Sequence, residues 1–408
     1  MATAGVLPKR EFPSDSSSVS APTSGRVGSS VRNLDAHVAG WLVLGAAFIV
    51  IGVIWDISWH ITIGRDTFWT PAHLMIHLGG SLGGFLSGFI CLDATFFRRK
   101  AWADRVIQVW GFRAPFGAWI CIWGAGAMLT SAPFDNWWHN AYGLDVKILS
   151  PPHMVLALGM HGVVAGAFLL ASAARNRAQE RGELSPARWY AVGAQGVQLA
   201  FASILISELT APNLQHTGRF YIASAIVFPA LLTAAVVTHP FKWGATRVCL
   251  VYMALILGMM WLLPLFAAEP KLAPVNNRVD HMVPSAFPLL LIAPALVLDL
   301  SLGWLRNRRG WGWTALLILA AATLFLGVFL AVQWYFSQFL ISPSADHWFF
   351  SGHGRFIGYQ DHRNEWQERF WDRHDLLNLA SLRTAWWTAI LSSLVGCLIG
   401  RFATRVRR

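Results

Sequence analysis

The sequence contains few charged residues. Asp, Glu, Lys and Arg make up 13% of its 408 residues, whereas soluble domains contain roughly 25%. Hydrophobic residues account for 55% of the chain, and the mean hydropathy is +0.46. This shortage of charge excludes an ordinary soluble domain and predicts an integral membrane protein.

Cysteine is also scarce. The four cysteines stand apart, at Cys91, Cys121, Cys249 and Cys397, within apolar runs. The sequence therefore has no CxxC pair and no disulfide framework. It also has no CxxCH haem-attachment motif and no flavin fingerprint, so redox chemistry would need other ligands and an external electron donor.

The N-terminal segment lacks the apolar core, roughly 7–15 residues long, that defines a signal peptide. Residues 1–35 are polar and rich in serine. We expect them to form a disordered cytoplasmic tail ahead of an uncleaved first span.

Long apolar runs dominate the rest of the chain, and each approaches the roughly 20 residues that a transmembrane helix needs. They lie near residues 39–55, 73–96, 114–133, 154–174, 188–207, 219–238, 248–268, 284–305, 312–341 and 383–404. The sequence therefore predicts an all-α fold, a polytopic transmembrane helix bundle of about ten spans.

The net charge of +11 reflects topology. Basic residues gather in alternate loops and at both ends of the chain, for example Arg98, Arg99, Lys100, Arg175, Arg177, Arg181, Arg306, Arg308, Arg309, Arg405, Arg407 and Arg408. The positive-inside rule places these loops and both termini in the cytoplasm. We expect a multi-pass protein of the cell inner membrane with the lipid bilayer as partner, and no nucleic-acid partner.

This topology divides the chain into five regions. After the tail at 1–35, residues 36–175 form spans one to four, and residues 176–341 form spans five to nine. Residues 342–382 form an outer segment rich in Trp and His, a candidate surface helix, and residues 383–408 form the last span and a basic tail.

Ionisable residues gather in the first outer loop, "WDISWHITIGRDTFWTPAH", and the pattern recurs in the second, "FDNWWHNAYGLDVKILSPPH". Each has an Asp, a His four residues later, a second Asp, and a Pro turn before a His that opens the next span. The corresponding residues are Asp56, His60, Asp66 and His73, and Asp135, His139, Asp145 and His153. A duplicated helical hairpin explains the repeat economically.

The spacing predicts convergence of metal ligands. Residues four apart share a helix face, and the antiparallel neighbour brings the last His to that pair. Two imidazoles and a carboxylate suit copper, iron or zinc and leave coordination positions for water, oxygen or substrate. The alternative is that these side chains hydrogen-bond to one another at an interface anchored by Trp.

Other ionisable residues in this region have more ordinary interpretations. Asp66 and Asp145 either orient a ligand imidazole or cap the next helix. We expect His77 and His161 to be buried, hydrogen-bonded residues; the alternatives are that His77 joins the metal ligands and that His161 binds a haem or a second metal. The weaker echoes at Glu208 with His216 and at Asp280 with His281 are not predicted to be metal sites.

The first motif resembles the metal-binding hairpin of the C subunit of particulate methane and ammonia monooxygenases, the copper membrane monooxygenases. In that family an aspartate, a histidine four residues later and a histidine thirteen residues beyond bind copper. Asp56, His60 and His73 fit both spacings. The resemblance implies a copper-dependent, oxygen-using oxidoreductase.

The second motif is similar to a later copper site of the same subunit, in which an asparagine, a histidine four residues on and a histidine fourteen beyond are the ligands. His139 and His153 fit, whereas Asp135 replaces the asparagine and adds a negative charge. The resemblance covers roughly residues 39–165, and the chain shows no cupredoxin-like domain.

The leading hypothesis is a membrane hydroxylase or its metal-bearing subunit, acting with oxygen on a small apolar substrate. Partner membrane subunits and an electron donor would complete it. The main alternative is a copper- or zinc-handling protein involved in transport, sensing or assembly. A non-catalytic accessory subunit is the third hypothesis.

Overall fold

The protein is described by a computed structural model. It describes residues 24–64, 69–97, 105–143, 150–210, 214–239, 241–272, 274, 279–303, 310–350 and 370–407, with side chains described from residue 36 onward except those of His139 and Trp311.

Helices make up most of the described chain. They are α1 (Ser24–Thr62), α2 (Pro71–Leu92), α3 (Phe116–Tyr142), α4 (Pro151–Glu180), α5 (Ala187–Leu209), α6 (Gly218–Thr238), α7 (Gly244–Leu262), α8 (Ile292–Gly303), α9 (Trp311–Leu340) and α10 (Leu379–Arg405). A π-helical turn, Asp93–Phe97, extends α2. Helix α1 begins within the range predicted to be a disordered tail, and residues 1–23 lie outside the described part.

Eight of these helices are long and apolar enough to cross a membrane. Of the other two, α3 ends in the polar stretch that contains the second motif, and α8 is only 12 residues long. The all-α prediction is confirmed at this level: the described chain is a bundle of apolar helices typical of a multi-pass membrane protein. The one sheet in the described residues is a short hairpin, β1 (Ile107–Val109) with β2 (Phe112–Ala114).

The eighth predicted span is helical only in its second half, so the prediction for residues 284–291 is wrong. Pro284 and Pro288 lack N–H donors and disfavour helix in the residues before them, and α8 begins only at Ile292. Irregular backbone at membrane depth needs other partners. The carbonyls of Leu289, Leu290 and Leu291 accept hydrogen bonds from the side chains of Tyr252, Gln333 and Cys249.

The first four helices form two adjacent antiparallel hairpins, α1 with α2 and α3 with α4, and α2 also packs on α3. We call the end where α1 and α3 finish the site end of the bundle, and the opposite end, where α4 finishes, the basic end. The β1–β2 hairpin connects α2 to α3 at the basic end. Both candidate motifs therefore lie at the site end.

Glycines allow the helices of each hairpin to approach closely, a common feature of membrane helices. A Cβ atom on Gly79 of α2 would lie 2.4 Å from the Gly45 carbonyl oxygen of α1. A Cβ atom on Gly124 of α3 would lie 2.6 Å from the Gly159 carbonyl oxygen of α4. These crossings fix the relative positions of the helices that carry the candidate ligands.

The remaining helices pack onto the first four. Helix α5 contacts α1, α4 and α7, and α10 lies along α6 and α9. One buried apolar cluster extends from Leu42 in α1 to Ala389 in α10, so the predicted regions 36–175 and 176–341 share a core.

The segment predicted to lie on the outer face, 342–382, begins with two short 3₁₀ turns, Pro343–Ala345 and Trp348–Phe350. Residues 351–369 lie outside the described part, and with them most of the candidate surface helix. Residues 370–377 pack against the connection between α5 and α6, and α10 begins at Leu379.

Candidate metal centre

The first two candidate ligands lie on one face at the end of α1. Asp56 and His60 are one helical turn apart, as their spacing predicts. The Nε2 atom of His60 is 3.7 Å from Oδ2 of Asp56. Both side chains lie at the site end of the bundle.

The third candidate ligand is held by the start of α2. The Thr70 hydroxyl accepts a hydrogen bond from the backbone N–H of His73, 3.2 Å away, and Pro71 occupies the first turn. This is a standard N-cap arrangement, and it fixes His73 at the third helical position. The His73 Nε2 atom lies 3.1 Å from Oδ1 of Asp56.

Together, Asp56, His60 and His73 offer one ligand atom each, and these atoms all lie within 4.8 Å of one another. The His60 and His73 rings are 6.4 Å apart and inclined by 53°. The side chains are partly accessible, with exposed fractions of 49% for His60, 29% for His73 and 23% for Asp56. The group is therefore compact and open to solvent on one side.

The end of α1 is anchored by a distant part of the chain. Backbone N–H groups of Lys271 and Leu272 donate to the Ile63 carbonyl. The hydroxyl of the preceding residue, the buried Thr62, accepts a hydrogen bond from the backbone N–H of Val283. The Ser58 hydroxyl, one turn before Thr62, donates to the Val283 carbonyl. We call residues 269–272 and 279–283 the strap. Because the last carbonyls of a helix lack partners within it, the strap holds the ligand-bearing turn in place.

The second hairpin repeats part of this arrangement. The Nε2 atom of His153 lies 3.4 Å from Oδ1 of Asp135. Ser150 precedes α4, Pro151 opens it, and His153 again stands at the third helical position. The side chain of His139 lies outside the described part of the structure, so the contacts shown here are those of the Asp135–His153 pair.

The neighbouring ionisable residues have structural roles that differ in part from those predicted. Thr70 and Ser150, and not Asp66 and Asp145, occupy the N-cap positions of α2 and α4; the two aspartates themselves lie outside the described residues. His161 makes the expected hydrogen bond, with its Nδ1 atom 3.1 Å from Nε2 of Gln198, but the residue is exposed and not buried as predicted. Asp280 and His281 form a pair at 2.8 Å.

The donor set fits a transition-metal ion. Two imidazoles and a carboxylate are ligands for copper, iron or zinc, and three protein ligands leave positions for other molecules. The Oδ1 atom of Asp56 is buried, and its 3.1 Å contact with the His73 Nε2 atom lacks hydrogen-bond geometry. A buried carboxylate oxygen without a well-formed hydrogen bond is rare, and a cation bound between Asp56 and His73 would satisfy it.

Sequence reasoning missed the surroundings of His216. This residue is buried, and its ring stacks on Trp371 at 3.9 Å and 11° and meets Trp334 edge-on at 4.0 Å. Its backbone N–H donates to the Phe370 carbonyl. The partners are more than a hundred residues away in the sequence, so no local pattern predicts this cluster.

The fold and the site define an integral membrane protein with a candidate three-residue metal centre. The sequence matches no family model, and comparisons with curated proteins and with solved structures find no match. Any assignment beyond this class therefore depends on the residues of this chain.

Proposed function

We propose that this chain is a membrane metalloprotein that binds copper through Asp56, His60 and His73, and a second copper through Asp135, His139 and His153. The convergence of the first three ligand atoms within 4.8 Å supports the proposal most directly. The Asp135–His153 contact at the equivalent position of the next hairpin supports the second site.

The residues of the first site have distinct roles in this proposal. Asp56 supplies the negative charge that offsets the metal's charge, and it lies between the two imidazoles. His73 is fixed by the α2 cap, whereas the more exposed His60 faces the accessible side. Bound copper would supply one-electron redox chemistry toward oxygen.

We further propose that the chain is the metal-bearing subunit of an oxygen-using hydroxylase that acts on a small apolar substrate. The motif resemblance supports this reaction class, and so does a site at the rim of an apolar bundle where such a substrate would partition. The exposure of His60 suits coverage by a partner membrane subunit, because this chemistry needs exclusion of water. Electrons would come from a separate donor.

The proposed topology has ten crossings, with both termini in the cytoplasm and the metal sites near the periplasmic face of the inner membrane. Arg175, Arg177 and Arg181 lie at the basic end, in or just after the last turns of α4, which supports this orientation under the positive-inside rule. The duplication of the hairpin belongs to the same proposal.

The alternative is metal handling, by transport, sensing or assembly of copper or zinc. The half-exposed His60 side chain favours it, because an open site can exchange its ion with the aqueous phase. Metal-dependent uptake into proteoliposomes containing this chain alone would favour this function over hydroxylation.

Metal analysis of the purified protein tests the proposal. Protein from copper-replete membranes should contain copper. The variants Asp56→Asn, His60→Ala and His73→Ala should each lose the copper bound at the first site. The variants Asp135→Asn and His153→Ala should each lose the copper bound at the second site. His281→Ala is the matched control, because His281 also pairs with an aspartate but belongs to no three-ligand group in the described residues.

Hydroxylation needs its own measurement. Membranes containing this chain and its partners should oxidise a small apolar substrate only with oxygen and a reductant, and His60→Ala should abolish turnover. Unchanged copper content in both His60→Ala and His139→Ala would remove the ligand assignment, whatever the activity.

A further inference from the structure

A cavity of about 470 Å³ lies at the basic end of the bundle. The last turns of α4, α6 and α10 line it, through residues that include Arg175, Asn176, Glu180, Thr238, His239 and Arg407. It lies at the opposite end of the bundle from the candidate metal centre and shares no residue with it.

Arg175 lines this cavity, and it is only 3% exposed. Its Nε and Nη2 atoms donate to Oδ1 of Asn176, at 3.0 and 2.7 Å, and Nη2 also reaches the Ala403 carbonyl at 3.4 Å. Its Nη1 atom is buried and has no hydrogen-bond partner. A buried guanidinium normally has a carboxylate or phosphate partner.

The charges around the cavity do not balance. Glu180 is the one carboxylate among the lining residues, and it pairs with Arg407. Two arginines and one glutamate leave a surplus of one positive charge when His239 is neutral. The surplus belongs to Arg175, whose neighbours Asn176 and Ala403 are uncharged acceptors.

A second lining residue also has an unused donor. Thr238 is 2% exposed, and its buried Oγ1 atom has no hydrogen-bond partner. Asn176, by contrast, uses its amide to donate to the carbonyls of Ala403 and Val406, at 2.8 and 2.9 Å. Two residues that line the cavity thus carry a buried donor without a hydrogen-bond partner, a guanidinium nitrogen in Arg175 and a hydroxyl in Thr238.

Stabilisation of helix ends explains only part of this arrangement. Cations near helix C-termini offset the partial negative charge there, and the contact of Arg175 with the Ala403 carbonyl fits that role. It leaves Nη1 of Arg175 and the Thr238 hydroxyl unexplained, since neither donates a hydrogen bond to a helix-end carbonyl.

We propose that this cavity binds a phosphate group, held by Arg175 and Thr238. Arginine is well suited to phosphate because its donors match the oxygen geometry, and the volume lies in the range of small-molecule sites. The phosphate would come from the headgroup of an anionic lipid or from a free phosphate compound. Basic pockets between membrane helices on the cytoplasmic side commonly hold lipid headgroups.

The test compares binding of two probes to the full-length protein in detergent. One arm adds phosphatidylglycerol, with phosphatidylcholine as reference; the other adds inorganic phosphate, with chloride at equal ionic strength as reference. Thermal stability and native mass spectrometry report binding. A gain with phosphatidylglycerol alone identifies a lipid site, and a gain with inorganic phosphate identifies a site for soluble phosphate.

The informative variant is Thr238→Val, which removes only the unpaired hydroxyl. It should weaken binding of the effective probe about tenfold and leave the stability without probe unchanged or higher. Thr233→Val is the matched control, because Thr233 is a buried threonine of the same helix whose hydroxyl also has no partner but does not line the cavity. It should bind like the wild type.

Arg175→Gln should abolish binding, and Arg175→Lys should retain part of it because the charge remains. If Arg175→Gln fails to fold, the Thr238→Val comparison still decides. Equal binding by the wild type, Thr238→Val and Thr233→Val, or no response to either probe, would overturn the proposal.

Discussion

At the scale of single residues, His216 shows how burial changes an ionisable group. Its ring lies between Trp371 and Trp334, and the Ser337 hydroxyl is its polar neighbour at 3.4 Å. This desolvation lowers the pKa of His216 to about 4 from the usual value near 6.5. The residue lies in the connection between α5 and α6, outside the membrane-spanning helices.

The lowered pKa makes stability depend on pH. Below about pH 6.5 the unfolded chain takes up a proton at this position that the folded chain does not accept until about pH 4. Stability is therefore lost as the pH falls through this window, by about 2 kcal/mol at about pH 5. Thermal unfolding of the wild type and His216→Phe across this window measures the effect, and the variant should show the flatter profile.

His374→Phe is the control for that measurement. His374 is exposed in the same segment that packs on His216, so its replacement should leave the pH profile parallel to that of the wild type. If the pH profile of His216→Phe also ran parallel to that of the wild type, the loss of stability could not be attributed to His216.

The sequence predicts the contacts between the candidate metal ligands better than it predicts the buried surroundings of His216. Helical spacing and a short turn are local, so the approach of Asp56 to His73 follows from a few consecutive residues. The surroundings of His216 depend on α9 and on residues 370–371, and no periodicity in the sequence reports contacts over that separation.

At the scale of helices, the crossing of α1 and α2 determines whether the first site can form. The Gly79 position has no room for a methyl group, because its Cβ would meet the Gly45 carbonyl oxygen at 2.4 Å and the Ile49 side chain at 2.7 Å. Gly88 lies in the same helix with nothing within 4 Å of an added Cβ.

Gly79→Ala should therefore separate the two helices and destabilise the protein by about 1–3 kcal/mol. The shift would move His73 away from Asp56, so the copper content should fall together with the melting temperature. Gly88→Ala should leave the copper content unchanged and the melting temperature unchanged or higher, because alanine favours helix over glycine. Equal behaviour of the two variants would show that this crossing does not control the site.

Helix boundaries show where apolar composition fails as a predictor. The run 284–305 is predominantly apolar, yet among its described residues, 284–303, helix is confined to Ile292–Gly303. Pro284 and Pro288 indicate the interruption. Composition cannot show that side chains of α7 and α9 are placed to donate hydrogen bonds to the carbonyls of the irregular backbone. Conversely, α3 continues past Pro133 and through the polar residues of the second motif to Tyr142.

At the scale of the whole molecule, the cavity at the basic end constrains the direction of the helices. The C-terminal ends of α4, α6 and α10 line it together, so these three helices run in the same direction. If successive helices cross the membrane in alternate directions, all even-numbered helices must run in the same direction, as these three do. The sequence predicted this alternation from loop charges, but it could not predict that α10 returns to pack along α6.

The direction of α8 agrees with this alternation. The Asp299 carboxylate near the end of α8 accepts hydrogen bonds from the backbone N–H groups of Ala245 and Thr246, at the start of α7. The end of α8 thus meets the start of α7, and the two run antiparallel. Although α8 itself is short, the mostly buried, non-helical residues 282–291 precede it inside the bundle.

Site-directed labelling tests the resulting topology. All four native cysteines are buried, so a new exposed cysteine can be read against a low background with a membrane-impermeant maleimide. Glu269→Cys, in the strap at the site end, should react in intact cells stripped of their outer membrane. Leu184→Cys, between α4 and α5 at the basic end and 85% exposed, should react only after the inner membrane is permeabilised. The reverse pattern would place the metal centre in the cytoplasm, and equal labelling of both positions in intact cells would contradict a membrane-spanning bundle altogether.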